Sequence, residues 1–202
     1  TALLTSLMAL NIKPGDEIIV PNRTWIATVH APLMLGAKLV MIDVLPERPV
    51  MDTSLIKEKI TPRTKAIISA SLCGCGVNMD EIWEIAKDND IFVIEDAAQA
   101  LFSKYKGFYM GTRSDLGCFS LALSKLVSSG QGGFIATRHK KLYEQMKLIR
   151  THGVESVNEA SPFLRMGFNF RFTDLHASIA MVQLSKVDYL INKIQKVYSI
   201  YK

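Results

Sequence analysis

Apolar residues along this chain follow two alternating rhythms. Short unbroken runs such as Ile18-Ile19-Val20, Ala66-Ile67-Ile68 and Phe92-Val93-Ile94 are separated by stretches whose apolar residues recur every three to four positions. The first pattern fits strands buried on both faces, and the second fits amphipathic helices. Helix is expected over Thr1 to Leu10, and Pro14-Gly15-Asp16 breaks it before a strand at Glu17 to Val20. A helix over Thr24 to Leu35 is closed by Gly36, followed by a strand at Lys38 to Val44. Asp52 or Thr53 then caps a short helix reaching Ile60, and Lys65 to Leu72 reads as strand. Asp80 to Lys87 reads as helix, and Ile91 to Glu95, Gly117 to Leu121 and Gly133 to Thr137 complete about six strands. Helix follows over Lys140 to Arg150, with Leu142, Met146 and Ile149 on one face, and a longer helical stretch over Thr173 to Lys202. Strands alternating with helices predict an α/β fold, a three-layer sandwich around a mostly parallel central sheet.

Composition narrows the class. The chain has 202 residues, 49% apolar and 21% charged, as expected for one large globular domain with a sizeable core. It starts at Thr1 and ends inside a helical pattern, so the expectation is an excerpt of a longer chain. The net charge of +5 is scattered; its densest cluster, Arg138 to Lys141, reads as a solvated helix face. No interleaving of basic and aromatic residues points to nucleic acid, and no apolar run reaches membrane-spanning length. Three cysteines, Cys73, Cys75 and Cys118, are an odd number without framework spacing, which predicts a reduced, cytoplasmic protein. Cys73-Gly74-Cys75 has no second ligand pair downstream, so no metal is expected. The polar run from Thr151 to Pro162 reads as a functional or interface loop.

Candidate chemistry gathers at the strand ends. The apolar run Ile91 to Ile94 leads straight into Glu95-Asp96-Ala97-Ala98-Gln99-Ala100. Ser120 lies at the end of a later strand, five residues before Lys125, and Gly130-Gln131-Gly132-Gly133 comes next. Pyridoxal phosphate needs such a set: an acid to pair with its pyridinium nitrogen, a hydroxyl for its phosphate and an amine for the Schiff base. Taken singly, Lys125 reads as a solvated loop residue and Asp96 as a turn residue just past a strand. Their joint order favours the cofactor.

The same residues carry a resemblance. The chain resembles the fold type I pyridoxal phosphate enzymes, and within them the DegT/DnrJ/StrS family of nucleotide-sugar aminotransferases. Thr1-Ala2-Leu3-Leu4 is similar to the end of that family's Gly-Thr-x-Ala-Leu signature. Pro14 to Glu17, Pro21 through Thr28, Ile60 to Ile67 and Met79 to Ile82 match further blocks, and Glu95 to Ala100 is the most specific. Gly167-Phe168-Asn169-Phe170-Arg171 looks like the family's Gly-Tyr-Asn-Tyr-Arg block.

The resemblance implies the large domain of the aspartate-aminotransferase type over residues 1–172, lacking its first strand. Residues 173–202 would then lead toward a small C-terminal domain. It implies an amino group passed from an amino acid, glutamate or glutamine, to a keto sugar, within a homodimer whose subunits share sites. Lys125 would hold the cofactor and carry the proton, a task that calls for a neutral amine. Asp96 would face the ring nitrogen, Gln99 the phenolic oxygen, and Trp25 the ring face. Thr1, Ala2 and Ser120 would hold the phosphate, and Asn169, with Arg171, would reach the phosphate of the neighbouring subunit.

The chain also departs from the family pattern. Leu126 stands where asparagine is frequent, Gln131 where glutamate is, and Ser71-Leu72-Cys73-Gly74 replaces His-Leu-x-Gly. Related dehydratases carry histidine at the lysine position, which Lys125 opposes. Desulfurases and lyases of the same fold need a cysteine downstream of the lysine, and none follows Cys118. An aminotransferase acting on a cyclitol or other small keto compound, and a non-catalytic regulatory protein retaining the fold, stay open as alternatives.

Overall fold

The computed structural model describes residues 1–157 and 161–201. In chain order the elements are α1 (Ala2–Ala9), β1 (Glu17–Pro21), α2 (Ala27–Met34), β2 (Lys38–Ile42), α3 (Ile56–Lys59), β3 (Thr64–Ala70) and α4 (Met79–Asp88). They continue with β4 (Phe92–Asp96), β5 (Lys104–Tyr105), β6 (Phe108–Tyr109), β7 (Leu116–Ser120), β8 (Gly133–Ala136), α5 (Lys140–Arg150), α6 (Asp174–Leu184) and α7 (Val187–Tyr201).

Six strands form one sheet in the order β2-β1-β3-β4-β7-β8. All pairs are parallel except β7 with β8, which runs antiparallel at the edge. Alternation along the inner strands divides the core in two. Ile18, Val20, Ala66, Ile68 and Ile94 pack with Leu4 and Leu7 of α1 and with Met146 and Ile149 of α5. Ile19, Ile67 and Val93 point the other way, onto Ile56 of α3 and Ile82 and Ile85 of α4. Burial on both faces explains why these strands read as continuous apolar runs. The three-layer α/β arrangement is therefore as the sequence predicts.

Local signals also hold. Gly36 ends α2 with φ of +74°, a left-handed conformation that glycine adopts without Cβ strain. The Asp52 carboxylate accepts the Ser54 N–H at 3.1 Å and caps the 3-10 turn Thr53–Leu55 that leads into α3. Gly117 in β7 is needed for close approach, since a Cβ there would lie 1.8 Å from the Gly111 carbonyl oxygen.

Two expectations are corrected and one element is new. The helix expected from Thr24 begins at Ala27, because residues 22–24 bend and Trp25 and Ile26 stay exposed. Apolar spacing does not distinguish a first helical turn from the bend that enters it. The stretch from Thr173 is two helices, broken at Ser185 and Lys186 between α6 and α7. The hairpin β5–β6 gave no sequence signal, because two-residue strands are too short to show alternation. Residues 158–160 of the polar run, and Lys202 at the end of the expected helix, lie outside the described residues.

Candidate active site

Parallel pairing brings the carboxyl ends of three strands together. Ala70 pairs with Asp96, and Asp96 with Cys118, so the residues following β3, β4 and β7 emerge side by side. Clefts of open α/β sheets form at such ends. Here a cavity of about 80 Å³ is lined by Leu3, Trp25, Ser71, Asp96, Gln99 and Lys125, among others. An adjoining cleft of about 920 Å³ shares Trp25, Gln99 and Lys125 with it, and also takes in Cys73 and Ile194 of α7.

Asp96, the last residue of β4, is 9% exposed. Its Oδ2 accepts the Thr28 hydroxyl at 2.7 Å, and its Oδ1 accepts the Ala98 N–H at 3.2 Å. Burial pushes its carboxyl above the usual carboxylate range, opposed by Thr28, by the Ala98 N–H and by the positive charge of Lys125. Thr28 gives its only proton to Asp96, so its 2.7 Å contact with Thr24 is one in which Thr24 donates. A carboxylate oxygen has more than one lone pair, so acceptor capacity on Asp96 remains for a cationic donor in the cavity.

Lys125 is half-buried on the loop between β7 and β8. The Leu121 N–H donates to the Gly132 carbonyl, and the Ser129 N–H donates to the Leu121 carbonyl, both at 2.9 Å. With Val127 and Ser129 fully buried, these bonds anchor the loop on both sides of the lysine. Gln99 Oε1 accepts the Cys73 N–H at 3.0 Å, which turns its NH2 group into the available donor. Trp25 presents an indole that is 69% exposed, in keeping with a flat wall rather than a core residue.

The structure thus brings Asp96, Lys125, Gln99 and Trp25 to one cavity. It does not bring the other expected residues there. Thr1 and Ala2, at the start of α1, line a separate, mainly apolar cavity of about 690 Å³ with Phe134, Tyr143 and Met181, although the next residue, Leu3, reaches the Asp96 cavity. Ser120 ends β7 with its hydroxyl accepting the Ala122 N–H at 3.2 Å. Asn169 is exposed, bridges to Thr151 and accepts the Arg171 Nε–H at 2.8 Å. Thr173 caps α6 through the His176 N–H.

Sequence reasoning missed Thr28 and Ser71. Thr28 lies in a quoted family block, and its hydroxyl meets that of Thr24 four residues earlier, but only the fold aims it at Asp96. Ser71 is 2% exposed, and its Oγ has no hydrogen-bond partner.

The whole chain, residues 1–202, matches the DegT/DnrJ/EryC1/StrS aminotransferase family. The chain belongs to that family. Among its relatives is GDP-perosamine synthase of Escherichia coli O157:H7, 39% identical over 201 residues, which are 100% of this chain and 55% of the relative. DesV of S. venezuelae, solved in complex with a ketimine intermediate, superimposes with a TM-score of 0.88 at 32% identity over 93% of this chain and 50% of its own. Spr1654 of Streptococcus pneumoniae, solved in a PLP form, gives a TM-score of 0.92 at 28% identity over 99% of this chain and 56% of its own. The chain spans about half the length of the relatives it matches.

The donor set suits the cofactor that family membership implies. A buried acid with spare acceptor capacity, a lysine close enough to act on its charge, an aromatic plate, an amide donor and an orphaned buried hydroxyl share one cavity. That combination fits pyridoxal phosphate.

Proposed function

We propose that this chain forms the cofactor-binding part of a pyridoxal phosphate-dependent aminotransferase. It would move an amino group from an amino acid, glutamate or glutamine, to a nucleotide-linked keto-deoxysugar in surface-polysaccharide or glycoconjugate biosynthesis. One observation carries this reading: Lys125 and the buried Asp96 share a cavity at the carboxyl end of the sheet, and the lysine charge acts on the carboxylate. The relative named GDP-perosamine synthase and the S. pneumoniae structure in its PLP form support the substrate class and the cofactor. Residues 1–172 would be the large domain and residues 173–202 the lead into a small domain. The three unpaired cysteines support a cytoplasmic setting, and no helix among the described residues is long and apolar enough to cross a membrane.

When bound, pyridoxal phosphate supplies an electron sink that stabilises negative charge at the amino-acid α-carbon. The chain's residues make that useful. Asp96, kept in place by Thr28 and the Ala98 N–H, would hold a proton on the ring nitrogen by charge-assisted hydrogen bonding. Lys125 would anchor the cofactor through its amine, and the same amine, when free, would hold the proton that moves to and from the amino-acid α-carbon. Trp25 covers a ring face, and Gln99 donates from its NH2 group. Thr1, Ala2 and Ser120 would bind phosphate, which requires α1 and the β7 end to turn these groups toward the cavity. Asn169, exposed on its own subunit, would serve the site of a partner copy in a homodimer.

Borohydride reduction of the intact holoprotein followed by peptide mapping should label Lys125. A label on another lysine, or none, refutes the assignment. For the shared site, Asn169→Ala protein is mixed with Lys125→Ala protein. One intact site forms in each mixed dimer if Asn169 serves its partner, so activity should return on subunit exchange. If exchange is confirmed and activity stays absent, Asn169 serves its own subunit.

A further inference from the structure

Ser71 occupies the first position after β3, beside the acid: its backbone N–H donates to the Asp96 carbonyl at 3.0 Å. The residue is 2% exposed and its hydroxyl is buried without any hydrogen-bond partner, and Ser71 lines the same cavity as Asp96, Gln99 and Lys125. A serine inside a helix can return its proton to a carbonyl one turn back, but no such carbonyl is available at the end of a strand. A buried hydroxyl left unpaired costs stability, so its position calls for a partner that arrives from the cavity.

The turn that follows ties this hydroxyl to a second donor. Residues Leu72–Gly74 form a single 3-10 turn in which Cys73 is left-handed, with φ of +53°, and the Cys73 N–H fixes the carboxamide oxygen of Gln99. One short segment therefore positions both the Ser71 hydroxyl and, through Cys73, the Gln99 amide.

We infer that Ser71 is a cofactor-contacting residue whose hydroxyl donates a hydrogen bond to the ring oxygen of bound pyridoxal phosphate, alongside Gln99. The inference rests on the cofactor reading above. It has an unusual signature. In cofactor-free protein the hydroxyl is an unpaired burden, so Ser71→Ala should leave the melting temperature unchanged or raise it. In holoprotein the same change removes a donor, so affinity for pyridoxal phosphate should fall roughly tenfold. An oxygen deprived of a donor also holds its proton more tightly, so the visible absorption of the bound cofactor should change at a higher pH. Ser71→Thr keeps the hydroxyl and should restore both affinity and titration toward wild type.

The experiment measures melting of the apoprotein, pyridoxal phosphate affinity and the pH titration of cofactor absorbance for intact wild type, Ser71→Ala and Ser71→Thr. Apoprotein melting unchanged or raised by alanine while cofactor affinity falls and the titration shifts, with threonine restoring both affinity and titration, supports the contact. Wild type that binds no pyridoxal phosphate overturns the cofactor reading and this inference with it. Wild type that binds, with Ser71→Ala unchanged in affinity and titration, overturns the inference alone. Threonine that behaves like alanine, or alanine that lowers apoprotein melting without shifting the titration, makes Ser71 structural and also overturns it.

Discussion

The carboxyl end of β4 and the C-terminal helix pair handle the same apolar and polar side chains in opposite ways. Around β4, apolar groups are sealed between layers, and the acid at the strand end is held by two donors. Along α6 and α7, apolar positions are periodic but stay in solvent: Leu175 and Ile200 are each 80% exposed, and α7 buries no residue. Helical spacing alone therefore does not report burial. In the sheet, strand structure and tertiary packing reinforce each other. In α6–α7, local hydrogen bonding and the Thr173 cap carry more of the order.

The contrast can be broken hardest at the acid. Asp96→Asn keeps the shape and the Thr28 contact but removes the charge that, on the proposed function, would face the ring nitrogen. Turnover should fall at least about a hundredfold while cofactor still binds, as judged by steady-state rates and absorbance of the same samples. Near-normal turnover would make Asp96 a structural strand terminator.

A second comparison sets packing in the two regions side by side. Ile67 is fully buried in β3, so Ile67→Ala should cost about 2–5 kcal/mol in denaturant unfolding. Leu175→Ala should stay within about 0.5 kcal/mol, because little area is buried there. Equal costs would mean that α6 contributes to the core as much as the sheet does.

The smallest effect sharpens the contrast between neighbouring acids. Glu95, pointing away from Asp96 along the strand, is 2% exposed, and its Oε2 lacks a partner. Burial raises its pKa above the usual carboxylate range, outweighing a backbone N–H from Gly111 and the charge of Arg113. A raised folded-state pKa means the protonated form fits the fold. Its contribution is complete below the unfolded value of about 4.3 and is lost as pH rises through the folded value. Glu95→Gln should therefore raise the neutral-pH stability of cofactor-free protein by on the order of 1 kcal/mol and flatten its dependence on pH. Thermal scans across mildly acidic to neutral pH check this, and a lower neutral-pH melting point would show that the Glu95 charge is compensated.

Much of the site was legible because its demands are local in sequence. Glu95 to Ala100 combines a strand end with its turn, and Asp96 and Gln99 fall at the cavity through that geometry. Lys125 followed from its order after Asp96 and Ser120 and ahead of the glycine-broken stretch that starts at Gly130. Thr28 and Ser71 were not legible as site residues, since nothing in a hydroxyl's own neighbourhood tells whether its partner lies 68 residues away or inside a cavity. The positions of Thr1 and Ala2 against a different cavity, and of Asn169 in solvent, likewise depend on how α1 and the 167–171 segment pack.

By itself, the sequence determined the order of the strands of the large sheet and of the helices between them, the buried faces of β1, β3 and β4, the Asp52 cap of the turn that leads into α3, and the family. Those features arise from spacing, turn chemistry and apolar runs that neighbouring residues settle among themselves. Tertiary structure alone decided which strand ends adjoin, that β8 returns antiparallel, where α2 begins, and which hydroxyl holds Asp96. These depend on contacts between residues far apart in the chain, where the free energy of burial and hydrogen bonding exceeds local preference.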